Sequence, residues 1–131
     1  TYGELHALTN RVANGLVDAG FQPGDAIAIC LPMTVESVAI YLGIIKAGCA
    51  VVSIADSFAA AEIATRLRIS HAKAIFTQDY ILRGGKQLPL YAKIVDASAI
   101  PAIVLASSAS VKLRLGDRTW NHFLSSNTQF D

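Results

Sequence analysis

The chain has 131 residues, 53% of them hydrophobic and only 16% charged, with a formal net charge of +1, a size that suits one domain or part of a larger one. A charged share well below the usual quarter or so leaves the surface short of polarity, as expected of a segment that normally has a neighbour. Near-neutral charge with dispersed cations argues against nucleic acid binding, and no uncharged apolar run approaches the roughly 20 residues of a membrane span, because Glu36, Lys46 and Asp56 interrupt the most hydrophobic region.

Thr1 and Glu4 have capping-box spacing, and Leu5, Leu8, Val12, Ala13 and Leu16 recur at helical intervals until Gly20, so the first element is an amphipathic helix. A Pro23-Gly24 turn then leads into a strand over residues 26–31, ended by Pro32. Residues 26–54 form the centre of the chain, with two continuous apolar runs, 26–31 and 49–54, on either side of a helix. Neither run alternates with polar residues, so both strands are expected to be covered on both faces, which points to a parallel βαβ unit. In the helix between them Val35, Val38, Ala39, Leu42 and Ile45 mark one helical face. Ile40, Tyr41 and Ile44 make the remainder nearly as apolar, as in a helix packed on more than one side. Gly48 stands where a helix C-terminus takes a left-handed residue.

Asp56 and Ser57 are placed to cap a third helix, with Ala60, Ile63, Ala64 and Leu67 on one face and Glu62 and Arg66 paired on the outer one. A short strand at 74–77 leads to a loop at 78–86, a helix through Tyr91, Ile94 and Val95, and a strand at 102–106. Past Ser107 the pattern thins to a short strand at 112–115 and a helical turn at Trp120, Phe123 and Leu124. The fold class is α/β: a mostly parallel sheet with helices on both faces, built from βαβ units. Loops after its strands should line one sheet edge, where such folds bind ligands.

The common catalytic and nucleotide signatures are missing: no GxGxxG follows a strand, and neither GxxxxGK[ST] nor GxSxG occurs. His6, His71 and His122 lack ligand spacing and read as structural or solvated. Glu4 reads as a cap, Glu62 as a surface pair, Asp25 as a turn residue and Trp120 as packing, so no catalytic residue and no metal ligand is assigned. Cys30 and Cys49 fall in predicted buried strands without CxxC or metal spacing. With no signal pattern at the N-terminus, they point to a reducing, intracellular compartment. The lack of an initiator methionine suggests that the ends are internal boundaries. One segment stands above this background. Arg83-Gly84-Gly85-Lys86 follows the strand at 74–77, and its two glycines let backbone N–H groups approach an anion that both cations would attract. That chemistry suits a phosphate, although a solvated Gly-Gly turn is the simpler meaning of the same residues.

As text, the chain resembles part of the large N-terminal domain of the acyl-activating, adenylate-forming enzymes. The resemblance rests on TYGEL at Thr1, RVANGL at Arg11, GFQPGD running into AIAICLPM, and LGIIKAGCAVVSI from Leu42, and covers residues 1–96. The stretch TQDYILRGGKQLPLYAKIVDA is similar to the acetyl-CoA synthetase branch, and the overall wording to plant acyl-activating enzymes, some of them peroxisomal. By that match Arg83, Gly84, Gly85 and Lys86 would contact coenzyme A, with the cations near its phosphates. The branch has Gly-Gly before the Phe matching Phe58, where this chain has Asp56 and Ser57. The resemblance implies a parent acyl-CoA synthetase that uses ATP, magnesium and coenzyme A to activate a small-molecule carboxylic acid. Its Ser/Thr/Gly-rich phosphate loop, adenine and magnesium contacts, hinge and mobile domain do not map onto these residues. Residues 1–131 are therefore expected to be inactive alone, to bind none of these cofactors tightly, to contribute scaffold plus part of the coenzyme A site, and to be soluble, in the peroxisome or cytoplasm. Two alternatives stay open: a non-catalytic α/β module that binds a partner protein through apolar surface, and a nucleotide-binding α/β domain of another kind.

Overall fold

The computed structural model describes residues 2–83, 85–105 and 113–130, with the backbone alone for residues 82, 83, 86 and 87. In chain order the elements are α1 (Tyr2–Asp18), β1 (Ala26–Ile29), α2 (Val35–Lys46), β2 (Ala50–Ser53), α3 (Ala60–Ser70) and β3 (Ala74–Gln78). There follow β4 (Tyr80–Arg83), β5 (Lys86–Pro89), α4 (Leu90–Ala97), β6 (Ala102–Leu105), β7 (Arg118–Thr119) and α5 (Trp120–Phe123). Five strands form one sheet in the order β2-β1-β3-β6-β7, and every neighbouring pair in it is parallel. The expected βαβ unit is present: β1 and β2 pair from Ala26↔Ala50 to Ile29↔Ser53, with α2 as the crossover.

Side chains of successive strand residues point to opposite faces, and the apolar runs therefore feed two cores. On one face Ile27, Ile29, Ala74, Phe76 and Ile103 meet Val12 and Leu16 of α1, Ile40 and Ile44 of α2, and Phe123 of α5. On the other, Ala28, Cys30, Ile75, Ala102 and Val104 meet Ile63 and Leu67 of α3 and Leu90, Tyr91 and Ile94 of α4. Helices thus cover both faces, as expected. Each fully buried Ile or Leu contributes about 1.5–3 kcal/mol of transfer free energy.

The facing of α2 differs from expectation. Its buried residues are Ser37, Ala39, Ile40, Gly43 and Ile44, whereas Val35, Val38, Tyr41, Leu42 and Ile45 are exposed, Val35 by 64% and Ile45 by 51%. A helix apolar all round carries no period from which to read its buried side. The contact with α1 is chosen instead by the residue with no side chain: a Cβ on Gly43 would lie 2.6 Å from Val12 Cγ1. The second strand also departs from expectation. β2 is an edge strand whose Ala50 and Ser53 are exposed and whose Val51 and Val52 are half-buried, so it is not covered on both faces.

Three further expectations are corrected. Asp56 and Ser57 do not cap α3; its N-cap is Ala59, without a side-chain hydrogen bond. Residues 80–89 form an antiparallel hairpin, where the sequence suggested a loop through residue 86. Leu113 to Leu115 are not a strand; the fifth strand is β7. Thr1, the serines at 107, 108 and 110, and Lys112 lie outside the described residues. The helix end at Gly48 (φ +84°) and the helical turn at Trp120 are as expected.

Candidate functional site

Parallel strands put their carboxyl ends on one edge, and the chain reverses its lateral direction between β1 and β3: it moves from β1 out to β2, then returns past β1 to β3. Ligands favour the crevice outside such a switch point. The hairpin grows from this edge. At Asp79 the chain leaves the sheet, its N–H donating to Leu105 O at 3.1 Å. The Asp79 carbonyl then accepts the N–H groups of Leu90 (3.0 Å) and Tyr91 (3.2 Å). One carbonyl thus serves two otherwise orphaned N–H groups at the start of α4, which has no side-chain cap, and the hairpin is closed at its base where it began.

The β4–β5 register runs from Tyr80↔Pro89 to Arg83↔Lys86. Two cationic residues therefore occupy directly opposite positions at the hairpin tip. Like charges so placed destabilise a strand pair, and a bound anion would offset that cost. Gly85 turns the chain with φ +78°, and among the described residues, its chain neighbours aside, no atom lies within 4 Å of where its Cβ would stand. A side chain would be strained there for backbone reasons. Gly84 lies outside the described residues, as do the side chains of Arg83 and Lys86.

Beside this edge, after β2, sits the turn at residues 55–58, closed by Phe58 N–H donating to Ala55 O at 3.1 Å. Lys93 of α4 donates through Nζ to Asp56 O at 2.9 Å and Phe58 O at 2.8 Å. The Arg66 guanidinium lies 5.0 Å over the Phe58 ring. Asp56 is buried and Ser57 exposed. Cys30, at the end of β1, is next to this turn, its Sγ donating to Ala55 O at 3.8 Å. Burial first, then the negative charge of Asp56, push the Cys30 thiol up to about 11 against the opposing charge of Lys93. It is a protonated, unreactive thiol at neutral pH. Burial and then Asp25 raise Cys49 as well, and both cysteines are free and buried.

The sequence gives no hint of a second network, which ties residues 113–117 to the sheet. Asp117, with a side chain 2% exposed, accepts Tyr91 Oη at 2.6 Å, Arg114 Nε at 2.9 Å and Ala102 N at 2.9 Å. Burial, then the hydrogen bond to Asp117, raise the Tyr91 phenol. Its members span residues 91 to 117 and recur in no periodic pattern, so only the three-residue spacing of Arg114 and Asp117 could have signalled it. The histidines stay apart from this edge chemistry: His6 Nε2 lies 3.3 Å from Asn10 Nδ2, His71 caps α3 with φ +56°, and His122 gives its backbone N–H to Thr119 Oγ1. Among the described residues no three His, Cys, Asp or Glu side chains converge as a metal site requires, and no helix is long and apolar enough to cross a membrane.

Two clefts open on the same edge. One of about 270 Å³ is lined by Thr34, Gln78, Leu105, Thr119 and Trp120 among others. The other, about 410 Å³ and mostly apolar, runs along the exposed side of α2 past Leu31, Met33, Val38, Tyr41 and Leu42.

The fold is a parallel α/β sheet with a hairpin, carrying Arg83 and Lys86 at opposite positions, at its carboxyl edge. Residues 1–122 match the AMP-binding enzyme family, and the chain belongs to it. It is 57% identical over 128 residues to probable acyl-activating enzyme 18, peroxisomal, of Arabidopsis thaliana, a match spanning 95% of this chain and 18% of that protein. It is 52% identical over 133 residues to hexanoyl-CoA synthase of Cannabis sativa, spanning 99% of this chain and again 18% of the relative. A crystal structure of an acyl-CoA synthetase from Brucella canis superposes with a TM-score of 0.84 at 26% identity, covering 100% of this chain and 23% of that one. The chain therefore spans less than a quarter of the length of the proteins it matches.

Proposed function

We propose that these residues are part of an acyl-CoA synthetase that joins a carboxylic acid to ATP, releases pyrophosphate, and transfers the acyl group from the adenylate to coenzyme A. The observation that carries this reading is a match along almost the whole chain to proteins named as acyl-activating enzyme and hexanoyl-CoA synthase, at 57% and 52% identity. Within that reading the segment is scaffold and one wall of the coenzyme A site, with Arg83, Gly84, Gly85 and Lys86 at the phosphates. Opposed cationic positions and a left-handed glycine turn at Gly85 fit a phosphate. ATP and magnesium would be held by other parts of the protein. The exposed side of α2 becomes an internal packing surface of the larger domain, and the peroxisomal name of one relative supports that compartment. The exposed apolar residues of α2 also favour a second reading, a module that docks a partner protein there.

The test uses the full-length protein. Arg83→Ala with Lys86→Ala should raise the Michaelis constant for coenzyme A at least roughly tenfold, each charged contact to phosphate contributing about 1.5–3 kcal/mol. Pyrophosphate release from ATP and acid should be unchanged. An unaltered Michaelis constant would remove the hairpin from the coenzyme A site. An open reading frame lacking a Ser/Thr/Gly-rich loop downstream would favour the docking module.

A further inference from the structure

The two elements on this part of the sheet edge come from distant stretches of chain: the turn at 55–58 after β2 and the hairpin after β3. The turn is closed on itself by Phe58 N–H donating to Ala55 O, and α3, which starts at Ala60 after an N-cap at Ala59, has no side-chain cap to hold the turn further. Its Asp56 and Phe58 carbonyls both accept from the single ammonium of Lys93, at 2.9 and 2.8 Å. Lys93 sits on α4, whose first N–H groups are held by Asp79, the residue from which the hairpin departs. Phe58 from the turn packs against the same core cluster as Ile81 from the hairpin and Leu90 and Ile94 from α4. Helix and hairpin are therefore joined at Asp79 and through a shared core, and Lys93 is a polar link from them to the turn. Hydrogen bonds from an ammonium to carbonyls are charge-assisted and stronger than neutral ones. Arg66 restrains the Phe58 ring but neither carbonyl.

We propose that Lys93 is a positioning residue: by holding the carbonyls of Asp56 and Phe58 it fixes the 55–58 turn relative to the Arg83–Lys86 hairpin, and so sets the geometry in which coenzyme A phosphates are met. The proposal rests on the coenzyme A reading of the hairpin. Its distinctive consequence is that a side chain removed from the hairpin tip governs coenzyme A affinity without touching the adenylation step.

Lys93→Met, which keeps the aliphatic stem and loses the donors, and Lys93→Arg, which keeps donors, are compared in the full-length enzyme, with Arg83→Ala/Lys86→Ala alongside. Lys93→Met should raise the Michaelis constant for coenzyme A about tenfold, the factor that one charged hydrogen bond is worth. The rate of pyrophosphate release should hold, and Lys93→Arg should return the constant toward wild type. Backbone amide exchange over residues 55–60 should quicken by about tenfold in the Met variant, reporting a looser turn. If Lys93→Met leaves both the constant and the exchange unchanged while the hairpin variant raises the constant, the positioning role is wrong and the coenzyme A reading stands. An equal loss of pyrophosphate release would make Lys93 general scaffold and overturn the proposal. An inert hairpin variant removes the coenzyme A reading, and the proposal falls with it.

Discussion

Gly43→Ala sets two effects against each other, and their magnitudes decide the sign. Helix propensity alone favours Ala over Gly inside α2 by about 1 kcal/mol. The packing opposes it: the new methyl would lie 2.6 Å from Val12 Cγ1, 2.7 Å from Val12 Cβ and 3.1 Å from Thr9 O. Ordinary carbon contacts are about 3.5–4.0 Å, so two of the three must open by nearly 1 Å. Val12 Cβ is fixed to the α1 backbone and cannot swing away as the end of a long side chain can, so α1 and α2 have to separate. Overpacking of this kind costs about 2–3 kcal/mol, which leaves a net loss of about 1–2 kcal/mol. Urea unfolding followed by the fluorescence of Trp120, the single tryptophan, should show a midpoint lower by roughly 0.5–1 M for a slope of about 1.5–2 kcal/mol per M. Trp120 is a suitable reporter because it packs on Phe76 and Phe123 in the same core as Val12. Val12→Ala combined with Gly43→Ala should cost less than the sum of the two single changes, since each relieves the other. A midpoint unchanged or raised by Gly43→Ala would refute the view that this glycine selects the buried face of α2.

Two further outcomes follow from the buried polar groups. Because Cys30 is raised from 9.0 to about 11, the folded state favours its neutral thiol. Its contribution to stability is complete below pH 9 and is lost as pH rises from about 9 to 11, by roughly 2 kcal/mol. Cys30→Ala should flatten that part of the stability curve, and maleimide should label native Cys30 far more slowly than the unfolded chain. Asp117→Ala removes the shared acceptor of Tyr91, Arg114 and Ala102. It should destabilise the fold by about 3–5 kcal/mol, as breaking a buried charge pair does, read by the same urea titration; a loss under about 1 kcal/mol would contradict the network.

How far the fold could be read from the residues depends on whether each element carries its own period. α1 does, with Val12, Ala13 and Leu16 buried at the expected spacing, and so does β1, whose uninterrupted apolar run required cover on both faces. The hairpin does not. Its strands, Tyr80–Arg83 and Lys86–Pro89, alternate poorly and end in Pro, and its closure at Asp79 is made by backbone groups that no sequence pattern reports. The candidate site was legible as a string, Arg-Gly-Gly-Lys, because glycine and cations carry their chemistry in their identity. That Arg83 and Lys86 stand opposite one another depends on register, and the role of Lys93 depends on two carbonyls 35 and 37 residues away. Interactions with backbone acceptors leave no mark on the accepting residue's type, so sequence cannot announce them.

The shortage of charge noted at the outset acquires a location. With 16% charged residues, a chain of this size has too little polarity to cover itself, but the deficit is not spread evenly. It collects along one side of α2, where Met33 is 87% exposed and Val35, Tyr41, Leu42 and Ile45 follow it down the helix, beside β2, the outermost strand among the described residues, and above a mostly apolar groove. An apolar helix face, the groove it lines and a strand at the edge of the sheet lie in one place, the features by which an interface is recognised. α2 was misread for the same reason. Its sequence is that of a helix buried on two sides, and among the described residues only one of those sides is buried.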